Sequence, residues 1–81
     1  MIVRVQLFAR SRDLAGADAV TVELPAGATV AALRAALAAA YPRLSGLLAR
    51  CAVAVDTEFA RDEDSVQEGS EIALLPPVSG G

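Results

Sequence analysis

The sequence predicts an α+β fold, a mixed sheet with one main helix packed across it, and three observations carry that expectation. Residues 2–8, IVRVQLF, and residues 20–24, VTVEL, alternate side chains with the period of two that a half-buried strand requires. Val30, Leu33, Leu37 and Tyr41 instead recur at helical spacing within an alanine-rich segment. Two further apolar runs, Cys51–Val55 and Ile72–Leu75, complete the order strand, strand, helix, strand, strand within 81 residues, the length of one small domain.

Each element has its own signal. In the first strand Val3, Val5 and Leu7 share one face, and Ile2, Arg4, Gln6 and Phe8 the other. Ser11 is expected to cap a short turn of helix through Leu14, ended by Gly16. The second strand stops at Pro25 and is expected to lie antiparallel to the first. Thr29 is the expected N-cap of the main helix, which Pro42 terminates because proline lacks the N–H and clashes with the preceding turn. Leu44, Leu47 and Leu48 extend the apolar layer through a looser turn. After the third strand, Asp56-Thr57 reads as a turn into a short apolar piece around Phe59 and Ala60. Arg61 to Ser70 has one apolar residue, Val66, and is expected to be an exposed connection closed by Gly69. The last strand is stopped by Pro76-Pro77. The domain is therefore residues 1–75, and residues 76–81 form an extended tail.

Composition removes several function classes. Histidine is absent, and all seven basic residues are arginine, so lysine-based phosphate loops, Ser/His or Cys/His pairs and histidine-containing metal sites are excluded. The longest apolar run, Ala35–Tyr41, is far shorter than the ~20 residues of a membrane span. No secretory leader is visible after Met1, and one cysteine, Cys51, cannot form an internal disulfide; a cytoplasmic protein is expected. The net charge of −3 is unevenly distributed: residues 1–55 hold six arginines against three acids, whereas residues 56–71 hold seven acids against Arg61 alone. That acidic stretch either steers docking onto a basic partner or is simply a solvated face. No basic patch interleaved with aromatics supports nucleic-acid binding, and no membrane partner is expected.

The tail has a chemistry of its own. Pro76 and Pro77 stiffen its base, Val78 and Ser79 follow, and Gly80 and Gly81 leave its tip thin. Fully extended, six residues reach roughly 20 Å, enough to enter a narrow active site. A terminal carboxylate on Gly81 is a poor acyl donor, but adenylation by ATP would supply AMP as a leaving group that a sulfur nucleophile displaces, giving a thiocarboxylate. Two terminal glycines standing alone read more readily as a frayed end.

Context makes the tail specific. The opening strand ending Leu7-Phe8-Ala9, the Arg12-Asp13-Leu14-Ala15-Gly16 turn, the Thr29-Val30-Ala31-Ala32-Leu33 helix start and the ending Gly69 to Gly81 with its Pro-Pro-Val-Ser-Gly-Gly finish resemble, nearly end to end, the small subunit of molybdopterin synthase, the MoaD family of ubiquitin-like β-grasp sulfur carriers. The resemblance implies that an E1-like adenylyltransferase activates Gly81 with ATP and that a sulfur donor converts it to the thiocarboxylate. The large synthase subunit then uses that sulfur to build the molybdopterin dithiolene. It implies a carrier rather than an enzyme, binding no cofactor itself, with catalytic side chains on its partners and two small and two large subunits assembled together. Two positions depart from the family pattern: Asp56 stands where asparagine is frequent, and Leu75 where an aromatic is frequent.

Surface candidates follow from strand parity. If Val3, Val5 and Leu7 face the helix, Phe8 points away, as does Leu75 if Ile72 and Leu74 point inward, and with Phe59 they form a candidate partner interface beside the tail. Parity in short strands leaves core packing open for each of the three. Arg10 and Arg12 fit an acidic partner surface or plain solvation equally. Cys51, in an apolar strand, reads as packing rather than redox chemistry. The remaining functional alternatives are a carrier for thiamine or tRNA thiolation, a protein modifier, and a ubiquitin-like binding module with an inert tail.

Overall fold

A computed structural model describes residues 1–77, and the tail residues Val78, Ser79, Gly80 and Gly81 lie outside the described residues. Five strands form one mixed sheet: β1 (Ile2–Leu7), β2 (Ala19–Glu23), β3 (Ala52–Val55), β4 (Glu58–Ala60) and β5 (Ile72–Leu75), in the spatial order β2-β1-β5-β3-β4. The two central strands, β1 and β5, run parallel, and every other pair is antiparallel. The helices are α1 (Ala9–Ala15), α2 (Val30–Ala40) and α3 (Ser45–Leu48), the last preceded by a 3-10 turn at Pro42–Leu44.

Alternation decides which face is covered. Val3, Val5 and Leu7 of β1, Val20 and Val22 of β2, Val53 of β3 and Ile72 and Leu74 of β5 are all buried. They form one core with Val30, Leu33 and Leu37 of α2, each fully buried, and with Leu44, Leu47 and Leu48. The parity predicted for β1 and β5 holds, and so does the helical stripe, except that Tyr41 caps the helix rather than continuing it. Its half-buried ring places a hydroxyl that donates 2.9 Å to the carbonyl of Thr21. Thr29 is the N-cap as expected, its Oγ1 accepting from the Ala32 N–H at 3.3 Å.

Two local expectations need correction. The first helix begins at Ala9, so Ser11 is its third residue and not its cap. Ser11 is fully buried, and its hydroxyl donates to the Phe8 carbonyl (2.7 Å) while accepting from the Phe8 N–H (3.1 Å), which closes the helix start from inside. The connection from Arg61 to Ser70 is more than exposed chain. Its Asp64 and Asp62 carbonyls accept from the Val30 and Ala31 N–H groups (2.9 and 3.0 Å), Val66 donates to Ala28 O (2.8 Å), and the Val66 side chain is buried. These bonds satisfy donors that the first turn of α2 cannot satisfy internally. Sequence pattern missed this because carbonyl acceptors belong to every residue type.

The β3–β4 hairpin turns on two residues, Asp56 (φ 50°) and Thr57 (φ 71°), both left-handed, as a two-residue turn matched to strand twist requires. Asp56 suits that place: its N–H donates to Glu71 O (2.8 Å) and its Oδ1 accepts from Glu71 N–H (2.9 Å), tying the turn to the start of β5. An asparagine here would offer the same acceptor. Thr57 suits it badly, because a β-branched side chain in this region is strained by about 1–3 kcal/mol, partly offset in glycine by unfolded-state entropy. Thr57→Gly should therefore raise stability by about 1 kcal/mol and the melting temperature by roughly 4–8 °C. A calorimetric scan that shows no rise would refute strain at this turn.

Candidate functional site

All the helices' buried contacts are on one face of the sheet, and the side chains of opposite parity line the other. Strand register sets their layout. One row across the sheet is Gln6, Ala73, Ala54 and Phe59, through the pairs Gln6↔Ala73, Ala54↔Ala73 and Ala54↔Phe59. In the next row Leu75 sits opposite Ala52, and one residue beyond the Leu7↔Leu74 pair it comes beside Phe8. Phe59 is 77% exposed and Phe8 43% exposed, so neither is a core residue; Leu75 is half-buried.

The three aromatic and aliphatic candidates thus share one face, with Phe8 and Phe59 at its two sides and small side chains between them. Ala52, Ala54 and Ala73, all half-buried, form that low floor. Sequence reasoning passed over them because alanine is abundant throughout the chain, yet their alternation with Val53, Ile72 and Leu74 was the available signal. Exposed Ile2 (69%) adds a further apolar side chain to the same strand face. Leu75 leads directly into Pro76, half-buried, and Pro77, exposed, so the tail departs from the edge of this apolar face. The predicted tail positions Val78, Ser79, Gly80 and Gly81 lie outside the described residues.

The acidic stretch divides into working parts. Asp62 pairs with Arg34, whose Nε lies 2.8 Å from Oδ1 and whose Nη1 donates to the Leu48 carbonyl, joining α2, α3 and the connection. Asp64 accepts from the Arg61 N–H at 2.8 Å, and Asp56 holds the hairpin turn. Arg61 faces Glu63 at 3.6 Å with both side chains largely in solvent, a pair worth little. Glu58, Glu68 and Glu71 make no ion pair among the described residues. Part of the acidic stretch is therefore structural, and the remainder flanks β4 and the start of β5.

Cys51 is buried, and its burial pushes the thiol pKa up against the smaller opposing pull of Arg34 and Arg50. A thiol buried in apolar surroundings packs as a small hydrophobe. Among the described residues no group of three or more His, Cys, Asp or Glu could hold a metal, and no helix is long and apolar enough to cross a membrane. A cleft of about 270 Å³ lies between Ile2–Arg4 and Gly69–Ile72, on the far side from the tail's departure point.

Comparison with known proteins agrees with this arrangement. A ThiS family model matches residues 5–81. The molybdopterin synthase sulfur carrier subunit of Chlamydomonas reinhardtii is 39% identical over 83 residues, covering all of both chains. That of Escherichia coli is 34% identical over 84 residues, covering 99% of this chain and 100% of the relative. Among solved structures, small archaeal modifier protein 1 of Haloferax volcanii superposes with a TM-score of 0.85 at 30% identity, covering 95% of this chain and 98% of the other. Subunit 1 or 2 in the Helicobacter pylori molybdopterin-converting factor complex matches with a TM-score of 0.69 at 26% identity, covering 100% of both chains. With the fold, the tail sequence and these relatives in agreement, the chain belongs to the ThiS family of ubiquitin-like β-grasp proteins, within the group of molybdopterin synthase sulfur carrier subunits.

Proposed function

We propose that this sulfur carrier for molybdopterin synthesis works through the carboxylate of Gly81, and that residues 76–81 act as a tail distinct from the domain of residues 1–75. One carboxylate oxygen attacks the α-phosphorus of ATP on an E1-like adenylyltransferase, pyrophosphate leaves, and an acyl adenylate forms. A sulfide equivalent from a sulfur donor then adds to the Gly81 carbonyl carbon, and AMP departs to leave the thiocarboxylate. The large subunit of molybdopterin synthase receives the tail and takes the sulfur for the dithiolene, in the cytoplasm. Pro76 and Pro77 direct the tail, Val78, Ser79 and Gly80 thread it, and Phe8, Phe59 and Leu75 dock the partner.

The observation that carries this reading is the bare apolar face of the sheet, ending where β5 runs into Pro76. An uncovered face with two exposed phenylalanines costs solubility unless a partner buries it, and aromatic anchors around a central contact are where binding energy concentrates. Support also comes from the end-to-end match with sulfur carrier subunits and from the likeness to one component of a two-subunit converting-factor complex. The test is the intact mass after incubation with the activating enzyme, ATP and a sulfur donor. The expected result is a gain equal to one oxygen exchanged for sulfur, localised to Gly81 and absent without ATP. An unchanged mass with a demonstrably active enzyme would sink the proposal.

A second reading, a protein modifier, draws on the likeness to a small archaeal modifier protein. It predicts high-mass conjugates in cells that disappear when Gly81 is removed.

A further inference from the structure

The sheet has two edges, and the chain treats them differently. At β2, the bonds from Leu24 N–H to Met1 O and from Leu7 N–H to Asp18 O (2.8 Å each) show which residues face β1. Ala19, Thr21 and Glu23 therefore turn their backbone groups outward, and the Thr21 carbonyl is already taken by the Tyr41 hydroxyl at 2.9 Å. An edge acceptor occupied by a side chain is one way of discouraging strand addition.

At β4 the register gives the opposite result. Val55↔Glu58 flanks a two-residue turn and is a hydrogen-bonded pair, so Ala54↔Phe59 is not, and the N–H and C=O of Phe59 point away from β3 into solvent. Asp56 N–H bonding to Glu71 O agrees, because it assigns the even-numbered residues of β3 to β5. No described side chain caps these two groups, and the Phe59 ring beside them is the most exposed large apolar side chain of the described residues. Asp56 precedes the strand, Glu58 opens it, and Arg61 and Glu63, paired at 3.6 Å, follow it in the sequence.

We propose that β4 is a strand-addition site, taking an extended basic segment of the partner that receives the tail. The segment exchanges two backbone bonds with Phe59, lays an apolar side chain against the Phe59 ring, and sets its cations against Asp56, Glu58 and Glu63. The charges exclude a second copy of this chain as the occupant, since pairing two β4 strands would gather both sets of acids at one seam. The inference rests on the proposed docking of the large synthase subunit and adds the backbone contact to it.

The experiment uses the full chain and the large subunit of molybdopterin synthase from the same source, with complex formation read by native mass spectrometry and affinity by calorimetry. Phe59→Ala and Phe59→Pro both remove the ring, but only proline removes the outward N–H, which the fold itself does not use. If β4 adds a strand, Phe59→Pro binds about 5-fold more weakly than Phe59→Ala, the effect of one net hydrogen bond. In the wild-type complex the Phe59 amide also exchanges with solvent at least about 10-fold more slowly than in the free chain. Equal affinities of the two variants with equal melting temperatures, or a complex that forms without slowing Phe59 exchange, overturns strand addition and leaves the tail chemistry standing. Failure of the wild-type chain to form any complex overturns the docking reading and this inference together. If proline lowers the melting temperature relative to alanine, the exchange rate of the wild-type amide alone decides.

Discussion

A chain lacking Gly80 and Gly81 melts at the wild-type temperature and transfers no sulfur. The two halves of this expectation have separate causes. The described strands, helices and core end at Leu75, and Pro77 is already exposed, so every core contact among the described residues remains when the last two residues go. The chemistry, by contrast, needs a carboxyl carbon at a fixed distance from the body that docks. Two residues shorten the extended tail by roughly 7 Å. Since a misplacement of about 1 Å at a reacting centre costs on the order of 100-fold, transfer should fall by at least about 1,000-fold. A thermal melt checks the first half, and single-turnover formation of the thiocarboxylate, measured by mass, checks the second. Retained transfer would move the reacting group away from Gly81. A binding module with an inert tail would lose nothing.

Leu33→Ala produces the largest stability loss we expect from one substitution. Leu33 is fully buried at the centre of the α2 stripe, between Val30 and Leu37, and packs in the single core that the helix shares with the sheet. Removing its branched end forfeits transfer free energy and leaves a cavity that rigid neighbours fill only partly, about 3 kcal/mol together. For a domain of this size that is a large part of a total stability of roughly 5–15 kcal/mol and a fall in melting temperature of roughly 12–24 °C. Denaturant titration should show the midpoint moving with little change in slope. A loss below about 1 kcal/mol would mean that α2 does not close this core. The variant that still folds at low temperature should accept sulfur normally, because Leu33 is no part of the tail.

The sheet and main helix were legible in the sequence because each rests on local periodicity. Val3, Val5 and Leu7 could share a face only in a strand, and Val30, Leu33 and Leu37 only in a helix, and Pro42 and Pro76 set ends that no packing could override. The tail rests on composition and resemblance alone, because Val78, Ser79, Gly80 and Gly81 lie outside the described residues. The start of α1 was not legible, because Ser11 is the third helical residue and its hydroxyl bonds back to Phe8, whereas sequence alone assigns such a hydroxyl more naturally to the cap itself.

Other features lay beyond any local signal. That the Arg61–Ser70 connection satisfies the first turn of α2 depends on backbone carbonyls, which every residue type carries. That Phe8, Leu75 and Phe59 share one face depends on register between strands far apart in the chain, and register is set by turns and by the core as a whole. The division of the acidic residues into structural ones, Asp56, Asp62 and Asp64, and solvent-facing ones, Glu58, Glu68 and Glu71, depends on which partner lies across the fold. The sequence by itself determined four of the five strands, the main helix and their order, and it carries the chemistry proposed for Gly81, because these follow from residue type and spacing, whereas β4 was read only as a short apolar piece. Only the tertiary structure decided which face is bare and which edge is open, because hydrogen-bond pairing and burial are settled between segments and not within them.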